Sequence, residues 1–134
     1  MTMRVSANRI DMDDKTLQKP VLKDYGETLV TANSGSSYTI DLTNGNAFKI
    51  TLTGNCTFTF SNPPASGTQG SFTLILIQDG TGSRTATWPG SVTWPAGSEP
   101  TLTTTATTGT DVFVFSTNDG GTVWYGFSAG LNMS

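Results

Sequence analysis

Trp88, Trp94, Trp124 and Tyr125 are the side chains of this sequence best suited to recognition. Aromatic faces near amides and carboxylates suit sugar rings. The alternative is that the Trp-Pro turns cap the end of a β-structure, with Trp124 and Tyr125 divided between core and surface. Acid–base chemistry has less material. There is no histidine, which removes Ser-His-Asp and Cys-His catalysis, His-ligated zinc and an imidazole acid or base near neutral pH. The one cysteine, Cys56, permits no internal disulfide. It falls in line with Phe58 and Phe60 without a cationic neighbour, which reads as a buried structural thiol.

Asp79, Glu99, Asp111 and Asp119 are available for a glycosidase pair, but each lies in or beside a turn signal, where aspartate ordinarily bonds its own backbone. Asp11-Met12-Asp13-Asp14 and Asp79-Gly80-Thr81-Gly82 hint at calcium. The first lacks the turn glycine of an EF-hand and the second offers one carboxylate, so both read as solvated loops. Gly80-Thr81-Gly82-Ser83-Arg84 lacks the Lys-Ser/Thr of a phosphate loop. Asn55-Cys56-Thr57 and Asn132-Met133-Ser134 match the glycosylation pattern by chance, since Met1-Thr2-Met3-Arg4 leads into polar residues and gives no secretory signal. No catalytic residue, metal site or cofactor is expected.

The elements that would carry these residues follow from charge and period. The chain has 134 residues, one domain by size, with a net charge of −3. The acidic balance argues against a nucleic-acid partner, and no apolar run is long enough for a membrane span. Residues 1–27 concentrate the charges, with both signs in balance. Arg4, Arg9, Asp11, Asp13, Lys15, Lys19 and Lys23 make this segment a candidate docking arm. Residues 28–134 are the body, whose polarity is mostly hydroxyl and amide. The whole chain holds 25 Thr, 13 Ser and 15 Gly.

From Thr28 the apolar period is two. Tyr38, Ile40 and Leu42, then Phe48, Ile50 and Leu52, then Cys56, Phe58 and Phe60 each mark one face of a strand. Asn44-Gly45 is a tight turn of the type that joins antiparallel strands, and Asn118-Asp119-Gly120-Gly121 is another. Phe72–Ile77 and Asp111–Phe115 are apolar on both faces. No convincing helix follows residue 28. The expected fold is all-β: an antiparallel β-sandwich or jelly-roll-like barrel of about 8–10 short strands, with an extended N-terminal arm. The second faces, Thr73, Ile75 and Ile77 with Val112 and Val114, are covered either by curvature and loops or by another subunit. In the second case they form an oligomer interface.

From about Leu17 to Leu131 the chain resembles a module of tailed-bacteriophage virion proteins, often found at the end of tail-fibre polypeptides. The resemblance rests on Leu17-Gln18-Lys19-Pro20 before Lys23-Asp24-Tyr25-Gly26-Glu27-Thr28, on Thr57-Phe58-Thr59-Phe60-Ser61-Asn62-Pro63-Pro64, and on Gln78-Asp79-Gly80-Thr81-Gly82-Ser83-Arg84-Thr85-Ala86-Thr87-Trp88-Pro89. It closes with Thr117-Asn118-Asp119-Gly120-Gly121 and Trp124-Tyr125-Gly126-Phe127. It implies a non-enzymatic structural protein of the virion; the exterior surface is expected from the acidic body, since an inner position would face DNA, and the two-sided strands make the chain itself a partner. A homotrimer is chosen partly from the resemblance; the residues alone argue for some oligomer. No coiled-coil heptad or collagen-like repeat is present. Two placements are expected, the first as the main reading and the second as its alternative. In the first, the protein decorates the capsid, docking its arm on the major capsid protein as an exterior cement. In the second, it is a short tail-fibre or spike component that joins a tail protein and contacts host-surface glycan.

Overall fold

The computed structural model describes every residue except Met1, Thr2 and Asp14, all three of which belong to the expected arm. The described residues form eleven strands: β1 (Arg4–Ser6), β2 (Arg9–Asp11), β3 (Leu29–Asn33), β4 (Ser37–Asp41), β5 (Ala47–Leu52), β6 (Cys56–Ser61), β7 (Gly70–Gln78), β8 (Ala86–Thr87), β9 (Val92–Thr93), β10 (Thr110–Thr117) and β11 (Trp124–Gly130). The one helical element among the described residues is a 3₁₀ turn at Pro95–Gly97. β1 and β2 form a separate hairpin, so the N-terminal segment is not extended throughout.

The body is all-β in two layers, as expected. One layer is a six-stranded sheet in the order β3-β5-β7-β10-β11-β9, and the other a three-stranded sheet in the order β4-β6-β8. Strand direction departs from the expected antiparallel pattern. Five of the eight pairings are parallel: β3 with β5, β5 with β7, β4 with β6, β6 with β8, and β11 with β9. Between β3 and β8 the chain steps from one layer to the other at every connection and lays each coil beside the last. The strand in the opposite layer serves as the crossover that a parallel pair needs. Asn44-Gly45 therefore joins β4 to β5 across the core rather than within one sheet. Asp41 steers that connection, accepting the Thr43 N–H at 3.0 Å, the Thr43 hydroxyl at 2.7 Å and the Asn62 amide at 2.8 Å.

The period-two pattern fits this winding because it fixes the buried face and is silent on the neighbour. Ile40 and Phe58 from one layer meet Phe48, Ile50, Phe72, Leu74 and Phe113 from the other in a single core. The turns stack as well as the strands. The Gly35 N–H donates to Thr53 Oγ1 at 3.0 Å, the Thr53 N–H to Ser34 Oγ at 3.2 Å, and the Thr85 N–H to Asn55 Oδ1 at 3.1 Å. On the wet face of the small sheet, the hydroxyls of Thr39 and Thr59 lie 2.8 Å apart across the parallel ladder. This is where the abundant threonine goes. The coil is closed by the hairpin of β10 and β11, antiparallel as the Asn118–Gly121 turn predicts, with β10 running antiparallel beside β7.

Candidate recognition surface

The functional geometry is built at the end of the body where β7 leaves the core. Along β7, Phe72, Leu74, Leu76 and Gln78 all face inward, and Gln78 is as buried as its apolar neighbours. Its Oε1 accepts the Arg84 N–H at 2.8 Å. Its Nε2 donates to the Arg84 carbonyl at 3.0 Å and to the Thr103 carbonyl at 2.8 Å. Arg84 and Thr103 belong to two separate loops, so one side chain holds both. Thr103 is gripped from the other side by buried Asp111, which accepts its N–H at 2.7 Å and its hydroxyl at 2.6 Å, and also the Asn132 N–H at 3.0 Å. Asp111 is therefore a strand residue tying loop and C-terminus together, where the sequence suggests a turn aspartate.

The two loops leave a groove of about 240 Å³ between them. One wall is Ser83–Ala86 and Trp88; the other is Glu99–Leu102 and Thr104. Residues 98–109 contain no helix or strand, a length at which a loop usually has a task of its own. Gly82 allows the close approach. It has φ +71°, and a Cβ there would lie 2.6 Å from the Thr104 carbonyl oxygen. Arg84 folds back on Asp79, with Nε 3.2 and 3.1 Å from the two carboxylate oxygens and a terminal nitrogen at 2.9 Å. That guanidinium holds the Asp79 carboxyl below the usual carboxylate range, aided by the N–H groups of Gly82 and Thr81. Asp79 is thus used up by its own loop, and Glu99 is the one carboxylate among the described residues lining the groove.

The four aromatic residues of the sequence reading do not converge. Trp88 is half-buried and lines the groove, stacked on Phe58 at 5.4 Å and edge-on to Trp94 at 5.4 Å. Trp94 is 9% exposed and lies against Gly126, where a Cβ would come within 3.0 Å of its ring. Trp124 is 2% exposed and packs on Phe60 and Phe72. Tyr125 is 51% exposed on the outer face of the large sheet. Only Trp88 is placed to meet a ligand in the groove. Pro100 and Leu102, for which no site role is expected from the sequence, supply the facing apolar wall. Gln78 is the missed residue that carried a signal: a polar side chain at an inward position of an otherwise apolar strand face.

Thr73, Ile75 and Ile77 on β7 and Val112 and Val114 on β10 lie side by side on the outer face of the large sheet, half-buried. Of the arm residues, Arg9 pairs with Asp11 at 2.9 Å, and Asp11 also accepts the Asp13 N–H at 3.0 Å. Lys15 reaches a cleft with Asn46, Asn62, Pro63 and Pro64. Arg4, Lys19 and Lys23 are exposed. Cys56 is buried beside Ala86, and burial pushes its thiol up against a smaller opposing hydrogen bond from Ser34.

Residues 34–119 match the family model described as "Putative phage tail fibre C-terminal domain". The chain belongs to this family. The matched span runs from the first turn of the coil, through β4 to β10, to the turn before β11, so it contains both groove loops. Comparison with curated proteins and with solved structures returns no match. A tail-fibre domain is a structural component of a bacteriophage virion. The match names the tail, so it favours the tail-fibre placement over capsid decoration.

Proposed function

We propose that this chain is a tail-fibre domain that grips saccharide on the bacterial surface through the groove between residues 83–88 and 99–104, without turning it over. The observation that carries the reading is the family match spanning both loops of a groove with an indole, a carboxylate and an apolar wall. A stacked sugar needs one aromatic face and a few fixed polar groups around it. Trp88 supplies the first; Glu99, Thr101, Thr104 and Ser83 supply the others. The clamps on Thr103 and Arg84 fix both walls in advance, which limits the ordering cost of binding. Binding without hydrolysis is supported by the single carboxylate among the described residues lining the groove, since glycosidases place two across the scissile bond.

The test is a titration of the protein with purified host-surface polysaccharide, read by tryptophan fluorescence and saturation-transfer NMR. Quenching that disappears in Trp88→Leu and weakens in Glu99→Gln supports the groove. Saturable binding that is unchanged in both variants would place the contact elsewhere. Release of reducing ends would show an enzyme instead.

A further inference from the structure

We propose that Asp79 sets the charge selectivity of the groove: by occupying the Arg84 guanidinium it leaves a site that takes saccharide without acidic groups and rejects saccharide bearing uronic acids. The inference rests on the reading of the groove as a saccharide site.

Arg84 is the one cation among the described residues lining the groove. An unoccupied arginine sharing a groove with an indole would be a ready seat for an acidic sugar, because its planar fork matches a carboxylate with two parallel hydrogen bonds. Asp79 already holds that seat. Nε and a terminal nitrogen of Arg84 reach both its carboxylate oxygens, at 2.9 to 3.2 Å, so the fork is filled from within the loop. The pair is well shielded, its side chains 27% and 18% exposed. A sugar carboxylate would have to compete with a partner on the same loop that is already in position.

The charge that remains is negative. Glu99 is exposed and makes no ion pair among the described residues. Its oxygens accept hydrogen bonds from sugar hydroxyls and repel a uronate. The wider field has the same sign. From residue 28 onward the chain carries Asp41, Asp79, Glu99, Asp111 and Asp119 against Lys49 and Arg84. A field of that sign lowers the local concentration of an anionic ligand.

The two oxygens of Asp79 divide the work, which makes the lock separable from the loop. Oδ1 accepts the Thr81 and Gly82 N–H groups at 2.9 and 3.0 Å, while Oδ2 faces Arg84 at 3.1 and 2.9 Å. Asparagine keeps the first oxygen and turns an NH₂ group toward the guanidinium. The turn is retained and the cation is released. The Gln78 clamp holds the backbone of Arg84, so the wall stays where it is when the side chain lets go.

The experiment uses the full chain and a panel of bacterial-surface polysaccharides. Each acidic member is presented intact and after carboxyl reduction, which turns its uronic acids into neutral sugars in the same linkages. Affinities are read by tryptophan fluorescence. The unsubstituted protein should bind neutral and carboxyl-reduced members, and the intact acidic forms at least about tenfold more weakly. Asp79→Asn should raise the ratio of acidic to reduced affinity by about tenfold, the worth of one hydrogen bond to a charged group. Asp79→Ser, made beside it, should shift the ratio the same way. Arg84→Gln added to Asp79→Asn should cancel the gain, an effect that loosening of the loop alone would not produce. A ratio unmoved in the folded Asp79 variants overturns the proposal, as does a gain that persists with Arg84→Gln. Preference of the unsubstituted protein for intact acidic forms, abolished by Trp88→Leu, overturns it too but leaves the groove as a saccharide site. Absence of binding to every member overturns the groove reading and this inference with it.

Discussion

The Gln78 side chain and the Arg84 backbone bond to each other twice, at 2.8 and 3.0 Å, in the pattern one strand uses toward another. The amide continues the ladder of β7 past its last residue and spends its remaining donor on Thr103. Gln78→Met fills the same volume and leaves these partners unpaired. We expect a loss of about 1–3 kcal/mol in urea denaturation. Saccharide binding should weaken beyond that, because both groove walls come loose.

Neighbouring residues 124 and 125 should behave oppositely. Trp124→Ala removes a fully buried indole from the Phe60–Phe72–Phe115 cluster and should cost about 3–5 kcal/mol. Tyr125→Ala changes an exposed outer-face position and should stay within about 0.5 kcal/mol at dilutions where the chain is monomeric. Thermal melts of the two variants check this directly.

Acid should destabilise the protein below the ordinary carboxylate range. Asp79 is held down first by the Arg84 guanidinium, Asp41 first by the Asn62 amide, and Asp119 first by the Val123 N–H. A carboxyl lowered in the folded state stabilises that state fully above its unfolded pKa of about 3.9. The contribution is lost as pH falls through the lower folded values. Melting temperature should hold steady from neutral pH down to that range and decline beneath it. Asp79→Asn should show a shallower decline.

Cys56 should resist thiol reagents in the native protein. It is buried and its thiol is shifted upward, so thiolate is scarce at neutral pH. Labelling with Ellman's reagent should follow global unfolding and accelerate in Trp124→Ala.

Particular residues show how far the sequence could be read. Ile40, Phe48, Ile50, Phe58 and Leu74 declare their buried face by alternation, and they form the core. The β10–β11 hairpin is legible because a Gly-Gly turn brings the chain straight back. The Asn44-Gly45 turn was not, since a step into the facing layer and a return in the same sheet bury the same side chains. The aromatic reading was partly legible. Trp88 and Trp94 both precede proline, yet one lines a groove and the other fills the core, and the difference lies in Gly126 and Leu102, far away in sequence. Gln78 was visible as an exception to its strand; what it clamps depended on two loops whose meeting no local pattern encodes.

The coil-by-coil winding also governs how this protein can change. Each strand of the coil pairs with the strand laid beside it, and the end connections add bonds at a few fixed points, among them the Cys56 N–H to the Thr85 carbonyl and the Gln78 N–H to the Gly109 carbonyl, both at 2.9 Å. The positions within residues 79–85 and 98–109 that make none of these bonds can therefore be replaced while the frame beneath them stays the same. On the proposed function, a virus under pressure to follow a shifting host coat would vary its grip at those positions, with Gln78 and Asp111 kept to pin the loops.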